Sequence, residues 1–400
     1  MKVTVFILLI LIALFALFWY DYHAGQKKKD MQVQKKEGKV VDGSLSVFTS
    51  GPELFDVMFN DIRQAKKYVH VLFYIVGKDS FSQRYIDLLK KKAEEGVEVI
   101  LMLDRLGSYS FKESSIEALK ASGVKFSFSR KPSFPYLFHS IQVRNHRKLT
   151  IIDGKTGYLG GFNIGMEYID KDPKLSPWRD YHLRLQGEGV HGLELQFLDD
   201  WERASGEHIQ YTQWYKDPNP KGTQKHRLFP TDGKFLEEEY IRLIKSAKKA
   251  IVIGTPYFIP TQAVLDQLGY ALHDGVNLTI LVPEKSDHLF VKEASYPALR
   301  YLLPLGAKVL QFQKGFFHGK YMVIDDQLAI VGTANFDKRS FFLNDEINCY
   351  VYDKLFIEQL NGLIKEDIGN STVLTKEELS TNGLWSKLKE KIGCLLSPFL

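Results

Sequence analysis

Two segments of this 400-residue chain repeat one pattern. The first runs Asn145-His146-Arg147-Lys148 to Asp153 and then Gly160-Gly161-Phe162-Asn163. The second runs His318-Gly319-Lys320 to Asp325 and then Gly332-Thr333-Ala334-Asn335. In both, lysine follows histidine by two positions, aspartate by seven and asparagine by 17. One HxKxxxxD arises by accident in about a few per cent of chains this size, so it is the second copy that makes the pattern informative. The flanks repeat as well. Ala65-Lys66-Lys67 answers Ala247-Lys248-Lys249, Tyr74-Ile75 answers Tyr257-Phe258-Ile259, Gly96-Val97 answers Gly275-Val276, and Gly123-Val124 answers Gly306-Ala307. Their offsets are 179 to 183 residues, against 172 for the histidines. A duplicated unit with a short insertion around Ser129 to His139 in its first copy accounts for all of these spacings.

The repeated unit is α/β. Asp56 to Lys67 is helical in period, Tyr68 to Val76 is a β-branched and aromatic strand, Ser82 to Glu95 a helix, and Val97 to Leu103 a strand ending in Asp104. A helix over Ser114 to Ser122 leads to a strand at Val124 to Ser127. This order predicts a largely parallel sheet covered by helices. With 44% hydrophobic residues the chain can bury two such units. Two α/β halves are therefore expected at 45–224 and 225–370, facing each other across a pseudo-two-fold axis.

The ends differ in character. Val3 to Tyr20 is uncharged, long enough to cross a bilayer, and closes on Trp19-Tyr20 where an interfacial aromatic belt falls. A cleaved signal peptide is the rival reading, but the apolar run is long for one and no small-x-small site follows it. Residues 1–23 are read as a transmembrane anchor and 24–44 as a charged linker. Lys27, Lys28, Lys29, Lys35 and Lys36 follow the run and only Lys2 precedes it, which places the bulk of the chain in the cytoplasm. The basic tail, 371–400, carries apolar residues at 384, 385, 388, 392, 395 and 396 on one helical face. It suits either a terminal helix packed on the core or an interfacial membrane helix.

A net charge of +5 fits an anionic membrane or a phosphate substrate without requiring nucleic acid. Cys349 and Cys394 form no ligand cluster, and no carboxylate group of the kind a Mg²⁺ or Zn²⁺ site needs is evident, so no metal or cofactor is expected. In a strand, His146 and Lys148 share a face, as do His318 and Lys320. Asp153 and Asp325 have the opposite parity and fall at hairpin turns, so they are expected to hold the turn and not to touch substrate. The glycine-rich turns return Asn163 and Asn335 towards the histidines, where two lysines and two asparagines are placed to donate to the oxygens of one phosphate. Two imidazoles suit double displacement at a phosphodiester: one attacks phosphorus, and the other protonates the leaving alcohol and later activates the incoming one.

The paired motifs, with Gly332 to Asn335 continuing as Phe336-Asp337-Lys338-Arg339-Ser340, resemble the phospholipase D superfamily over about Leu45 to Ile368. The N-terminal anchor, Asn145 to Lys148, Gly160 to Gly165, Trp178-Arg179-Asp180 and the basic tail are similar to bacterial cardiolipin synthases, in particular the minor single-anchor type of Gram-positive bacteria. The resemblance implies two phospholipase D-like α/β/α halves with the active site between them. It implies His146, Lys148, Asp153, His318, Lys320 and Asp325 as the motif residues of catalysis, with His146 as nucleophile and His318 as acid/base; the pseudo-symmetry leaves the reverse open.

The implied reaction transfers a phosphatidyl group between two phosphatidylglycerol molecules through a phosphatidyl-histidine, releasing glycerol, at the cell membrane. The superfamily also orients its histidines with an acidic residue downstream of the asparagine. Glu346 fits, 28 residues after His318, but the position 28 after His146 is Lys174, and Asp180 is taken in its place. Asp337 and Arg339 are read as a structural ion pair. Rival readings are a hydrolase or nuclease of the same chemistry, for which the dispersed lysines are a poor groove, and an inactive membrane scaffold.

Overall fold

The computed structural model describes residues 2–210, 222–379 and 384–400. Residues 211–221, inside the expected first half, and 380–383, inside the expected tail, lie outside the described residues.

The first half contributes β1 (Val41–Ser50), β2 (Tyr68–Phe73), β3 (Glu98–Asp104), β4 (Lys125–Ser129), β5 (Leu149–Ile152), β6 (Thr156–Gly160) and β7 (Trp178–Gly187). The second contributes β8 (Gln224–Asp232), β9 (Ala250–Gly254), β10 (Phe258–Ile259), β11 (Asn277–Pro283), β12 (Lys308–Phe312), β13 (Phe316–Phe317), β14 (Tyr321–Ile324), β15 (Leu328–Gly332), β16 (Phe336–Asp337), β17 (Asp345–Val351) and β18 (Ser371–Val373). One sheet runs through both halves in the order β18-β12-β11-β9-β14-β15-β17-β8-β1-β7-β6-β5-β2-β3-β4. Outward from the antiparallel β1/β8 pair, β7-β6-β5-β2-β3-β4 on one side mirrors β17-β15-β14-β9-β11-β12 on the other. That mirror order is the duplication seen as topology.

The sheet is mixed, not largely parallel. β2, β3 and β4 are parallel, as are β9, β11 and β12, because helices cross over between them. β5/β6 and β14/β15 are antiparallel hairpins whose three-residue loops each begin with a β-turn, closed by the Lys155 N–H on the Ile152 carbonyl and the Gln327 N–H on the Ile324 carbonyl. Both central positions of each turn are left-handed: Asp153 and Gly154 at φ 54° and 64°, Asp325 and Asp326 at 54° and 53°. The aspartates hold these turns. Asp153 accepts from the backbone N–H of Lys66, Lys67 and Tyr68, and Asp325 from Lys248, Lys249 and Ala250.

The helix Gly51–Gln64 shows how the layers close. Pro52 sits in its first turn, where a missing N–H costs nothing, and Leu54, Phe55, Met58, Phe59 and Ile62 form its buried face. It covers β2, whose six residues are all buried. Each half has such a core of its own, and a third cluster joins them. Leu149, Leu183 and Phe197 of the first half share that cluster with Val331, Leu360 and Ile364 of the second. The insertion predicted at Ser129 to His139 lies between β4 and His146, where it carries the short helix Leu137–Gln142.

The N-terminal helix runs from Lys2 to Gln32, beyond the expected anchor boundary. Its apolar part is exposed, with mean hydropathy 2.3 in a stretch of which none is buried. The expected linker at 24–44 is largely ordered. The last turns of this helix are docked: Lys29 Nζ donates to the carbonyl of Phe342 at 2.6 Å, Gln26 to the same oxygen at 3.1 Å, and Asp21 accepts from the His139 N–H at 2.8 Å. Val41 to Gly43 already pair with β8. The tail helix Leu384–Leu396 packs on the helix Val291–Leu302, with Gly393 close against Phe290 and Ala294, and leaves Trp385, Leu388 and Leu395 exposed.

Arg147 is fully buried and ties the halves together. It donates to Asp200 at 2.7 Å, to Asp232 at 2.5 Å, and to the carbonyls of Thr231 and Glu346 at 2.8 and 3.1 Å. Replacing it with alanine removes the fully buried cation that Asp200 and Asp232 share and leaves these buried carboxylates the exposed Arg203 as their common partner. Arg147→Ala is expected to destabilise the protein by about 3–5 kcal/mol, read as a lower unfolding midpoint in detergent.

Candidate active site

His146 and Lys148 occupy the stretch just before β5, and His318 and Lys320 the stretch just before β14, outside the strands in which the sequence pattern had put them. Each histidine is fixed by the other half of the chain. The His146 N–H donates to the carbonyl of Asp345 at 3.0 Å, and the His318 N–H to that of Arg179 at 2.7 Å. In each case the next residue is a carboxylate that meets the imidazole. Glu346 lies 3.0 and 3.1 Å from His146 Nδ1, and Asp180 lies 2.5 Å from His318 Nδ1.

The orienting carboxylates are therefore exchanged between halves. Glu346 serves His146 and not the histidine of its own motif, and Asp180 serves His318. β13 beside β7 and the Asn145–Asp345 bridge make the two crossings equivalent. The spacing rule failed for Asp180 because the chain takes six more residues from Asn163 to Asp180 than from Asn335 to Glu346.

Both imidazoles open on one cavity of about 600 Å³, which Asn163, Asn335, Tyr74, Tyr257, Arg144 and Arg339 also line. Asn163 is held by the Ile75 N–H on its Oδ1, at 3.1 Å, and donates to the Tyr168 hydroxyl. Asn335 Oδ1 is buried without a partner among the described residues. Lys148 donates to the His146 carbonyl at 2.8 Å and Lys320 to the His318 carbonyl at 2.6 Å. Asp153 and Asp325 stand at the far ends of the hairpins, away from the cavity.

Burial sets the charge states. It pushes His146 down to about 4, against the opposing pull of Glu346, and it lowers His318, helped by the Lys320 ammonium and opposed by Asp180. Burial also lowers Lys148 and Lys320. Burial acts to raise Asp180, but Lys320 and His318 hold it below the usual carboxylate range. These shifts favour neutral rings at neutral pH, and a carboxylate at each Nδ1 favours the Nδ1–H tautomer with Nε2 as the basic nitrogen; Lys320 Nζ also stands 2.8 Å from His318 Nδ1 and 3.3 Å from its Nε2.

Sequence reasoning missed several cavity residues. Tyr74 and Tyr257 carried a signal, since they answer each other in the repeat; their rings lie 5.1 and 6.3 Å from those of His146 and His318. Asp287, Phe399 and Leu400 carried none, because distant segments bring them in. Asp337 and Arg339 do not act as the expected pair. Asp337 caps the helix Lys338–Phe342 through the Ser340 N–H, and Arg339 donates to the carbonyls of Phe399 and Gln142.

Comparison with known proteins agrees with this geometry. Residues 58–173 and 240–368 match the family model described as cardiolipin synthase, PLD-like domain. The minor cardiolipin synthase ClsB of Bacillus subtilis (strain 168) is 40% identical over 403 residues, covering 100% of both chains. A cardiolipin synthase of Staphylococcus aureus (strain Mu50) is 40% identical over 365 residues, which span 90% of this chain and 74% of that one. The crystal structure of a phosphatidylserine synthase from Haemophilus influenzae Rd KW20 superposes with a TM-score of 0.70 at 16% identity, covering 94% of this chain and 100% of that one. Fold and relatives together define a phosphatidyltransferase of the phospholipase D superfamily. Within it, the chain belongs to the cardiolipin synthase family.

The crossed pairing has a kinetic consequence. Glu346→Gln is expected to reduce kcat by about 100-fold or more, because His146 loses the group that fixes its tautomer. Glu346 raises the His146 pKa, so removing its charge lowers that pKa further. The acid limb of the rate profile attributable to His146 should accordingly move to lower pH, as initial rates across a pH series would record.

Proposed function

We propose that the protein is a membrane-anchored cardiolipin synthase that transfers a phosphatidyl group from one phosphatidylglycerol to another. The observation that carries this reading is the shared cavity: two carboxylate-anchored imidazoles face it, and Leu289, Val291, Phe399 and Leu400 give it an apolar wall beside Asp287 and His288. Aromatic contacts link that wall to the membrane helix. Phe399 lies 5.3 Å from Tyr22 and 5.8 Å from Phe138, and Phe138 lies 5.1 Å from Phe18. A diacylglycerol moiety entering from the bilayer would meet this wall while its phosphate meets the histidines.

In the first step His146 Nε2 attacks phosphorus. The bond from phosphorus to the glycerol oxygen breaks, and His318, protonated as the anionic substrate binds, gives its proton to that oxygen. In the second step His318 takes the proton of the second phosphatidylglycerol's terminal hydroxyl, whose oxygen attacks phosphorus and displaces His146. The products are cardiolipin and glycerol, and His318 ends protonated for the next cycle. Lys148, Lys320, Asn163 and Asn335 are the donors proposed for the non-bridging oxygens, with the ammoniums offsetting the phosphate charge in a site of low dielectric. Glu346 and Asp180 act as positioning residues. Lys27 to Lys29 after the apolar run support a cytoplasmic active site.

The test follows lipid products from purified full-length protein and phosphatidylglycerol. Cardiolipin with an equal amount of glycerol is expected, whereas phosphatidic acid as main product would make the enzyme a hydrolase. His146→Ala and His318→Ala should each lower transfer by at least about 10³-fold while the protein stays folded and in the membrane fraction. Activity should also survive exhaustive chelation; a loss restored by a divalent ion would refute the metal-free mechanism.

A further inference from the structure

The insertion that breaks the pseudo-symmetry has no part in the reaction described above, yet it builds a second cavity. This space of about 360 Å³ lies between the segment Ser129 to Ser140 and the docked end of the membrane helix. Five cationic side chains line it, Lys28, Lys29, Arg130, Lys131 and Arg203, against two acidic ones, Asp200 and Asp345. The acids are already matched: Arg130 makes a two-pronged contact to Asp345, at 2.6 and 2.5 Å, and Arg203 pairs with Asp200.

Among the described residues the three ammoniums form no salt bridge, although Asp345, Asp30 and Asp232 lie near enough to Lys29 to favour its charge. Lys29 donates to the carbonyls of Phe342 and Leu343, Lys131 to the carbonyl of Ala204 at 3.5 Å, and Lys28 stands 6.0 Å over the ring of Tyr136. His139, beside them, is pushed down to about 4 by burial first and by the Lys29 charge next. Five cations against two carboxylates leave an excess of positive charge at the cavity, and an anion placed among the cations lowers their mutual repulsion.

Position narrows the anion's identity. Gly25, Lys28, Lys29 and Gln32 line the cavity just beyond the apolar run that ends at Tyr20, the level at which lipid headgroups lie. Exposed Phe134 and half-buried Tyr136, in the same lining, offer apolar surface to the first part of an acyl chain. We propose that this cavity is a second anion site, separate from the catalytic one, that holds the phosphate of an anionic phospholipid between the membrane helix and the insertion. A lipid bound there compensates Lys28, Lys29 and Lys131 together and fastens the exit of the membrane helix to the insertion. Its floor includes Asn145 and Asp345, the residues immediately before His146 and Glu346. The inference does not depend on which lipids the enzyme joins.

The test counts bound phosphatidic acid on the full-length protein in detergent by native mass spectrometry. At equal lipid concentration, Lys28→Gln/Lys131→Gln is expected to carry one phosphatidic acid fewer than the unaltered protein, and Lys28→Arg/Lys131→Arg the same number. His146→Ala/His318→Ala should keep this lipid, which separates it from one seated at the catalytic histidines. Equal counts in the Gln variant and the unaltered protein would overturn the site. Loss of phosphatidylcholine to the same extent would overturn its preference for an anionic headgroup. Displacement of the lipid by millimolar inorganic phosphate would overturn a lipid as its ligand.

Discussion

The exchange of carboxylates between the two halves is the constraint on which the rest of the structure depends. Each histidine takes its backbone hydrogen bond and its Nδ1 partner from the opposite half, through Asp345-Glu346 for His146 and Arg179-Asp180 for His318. Neither half alone contains an oriented imidazole. The β1/β8 seam, the shared hydrophobic cluster and the buried Arg147 network all serve to hold these crossings in register. A buried ion network adds little net stability beside an apolar core, but it penalises any arrangement that leaves its carboxylates unpaired. Arg147 lies between His146 and Lys148, so the penalty falls where a small displacement would matter most.

The electrostatics of the cavity follow from that enclosure. Burial disfavours the charged forms of the histidines and lysines alike, while two carboxylates keep enough negative charge nearby to orient the rings. Lys320 already stands 3.7 Å from Asp180, and a phosphodiester in the proposed reaction adds a further anion to the site. Under the proposed mechanism binding and activation are one event, because the substrate's charge favours the protonated state that general-acid catalysis requires.

The C-terminal residues Phe399 and Leu400 line the cavity, and the N-terminal helix packs against the first of them. Tyr22 of the membrane helix touches Phe399, whose carbonyl is held by Arg339, and Lys338 holds Ser397 at 2.8 Å. Of the two readings open for the tail, the structure combines features of each: Arg300 pairs with Glu390 on the packed side, while Trp385, Leu388 and Leu395 remain exposed on another. The anchor is thus more than a tether. Its last turns and the C-terminal residues form part of the surface around the site.

Much of this was legible in the sequence, for physical reasons that can be named. Hydrophobic periodicity and the repeated motifs specified two α/β units, their hairpins and the residues that gather at the site, since strand and helix periods and turn chemistry are local properties. The offset difference between flanks and histidines located the insertion at Ser129 to His139, and the parity of Asp153 and Asp325 put them at turns. What the sequence could not express was partnership across space. The resemblance and a count of residues picked Glu346, and Asp180 was taken where that count failed, without revealing that each serves the other half's histidine; charged composition likewise read residues 24–44 as a linker although Gln26 and Lys29 are bound to the carbonyl of Phe342. Local order along the chain determined which groups would be present. Only tertiary structure, by joining the two copies along the β1/β8 seam around one shared cavity, decided which of them act on one another.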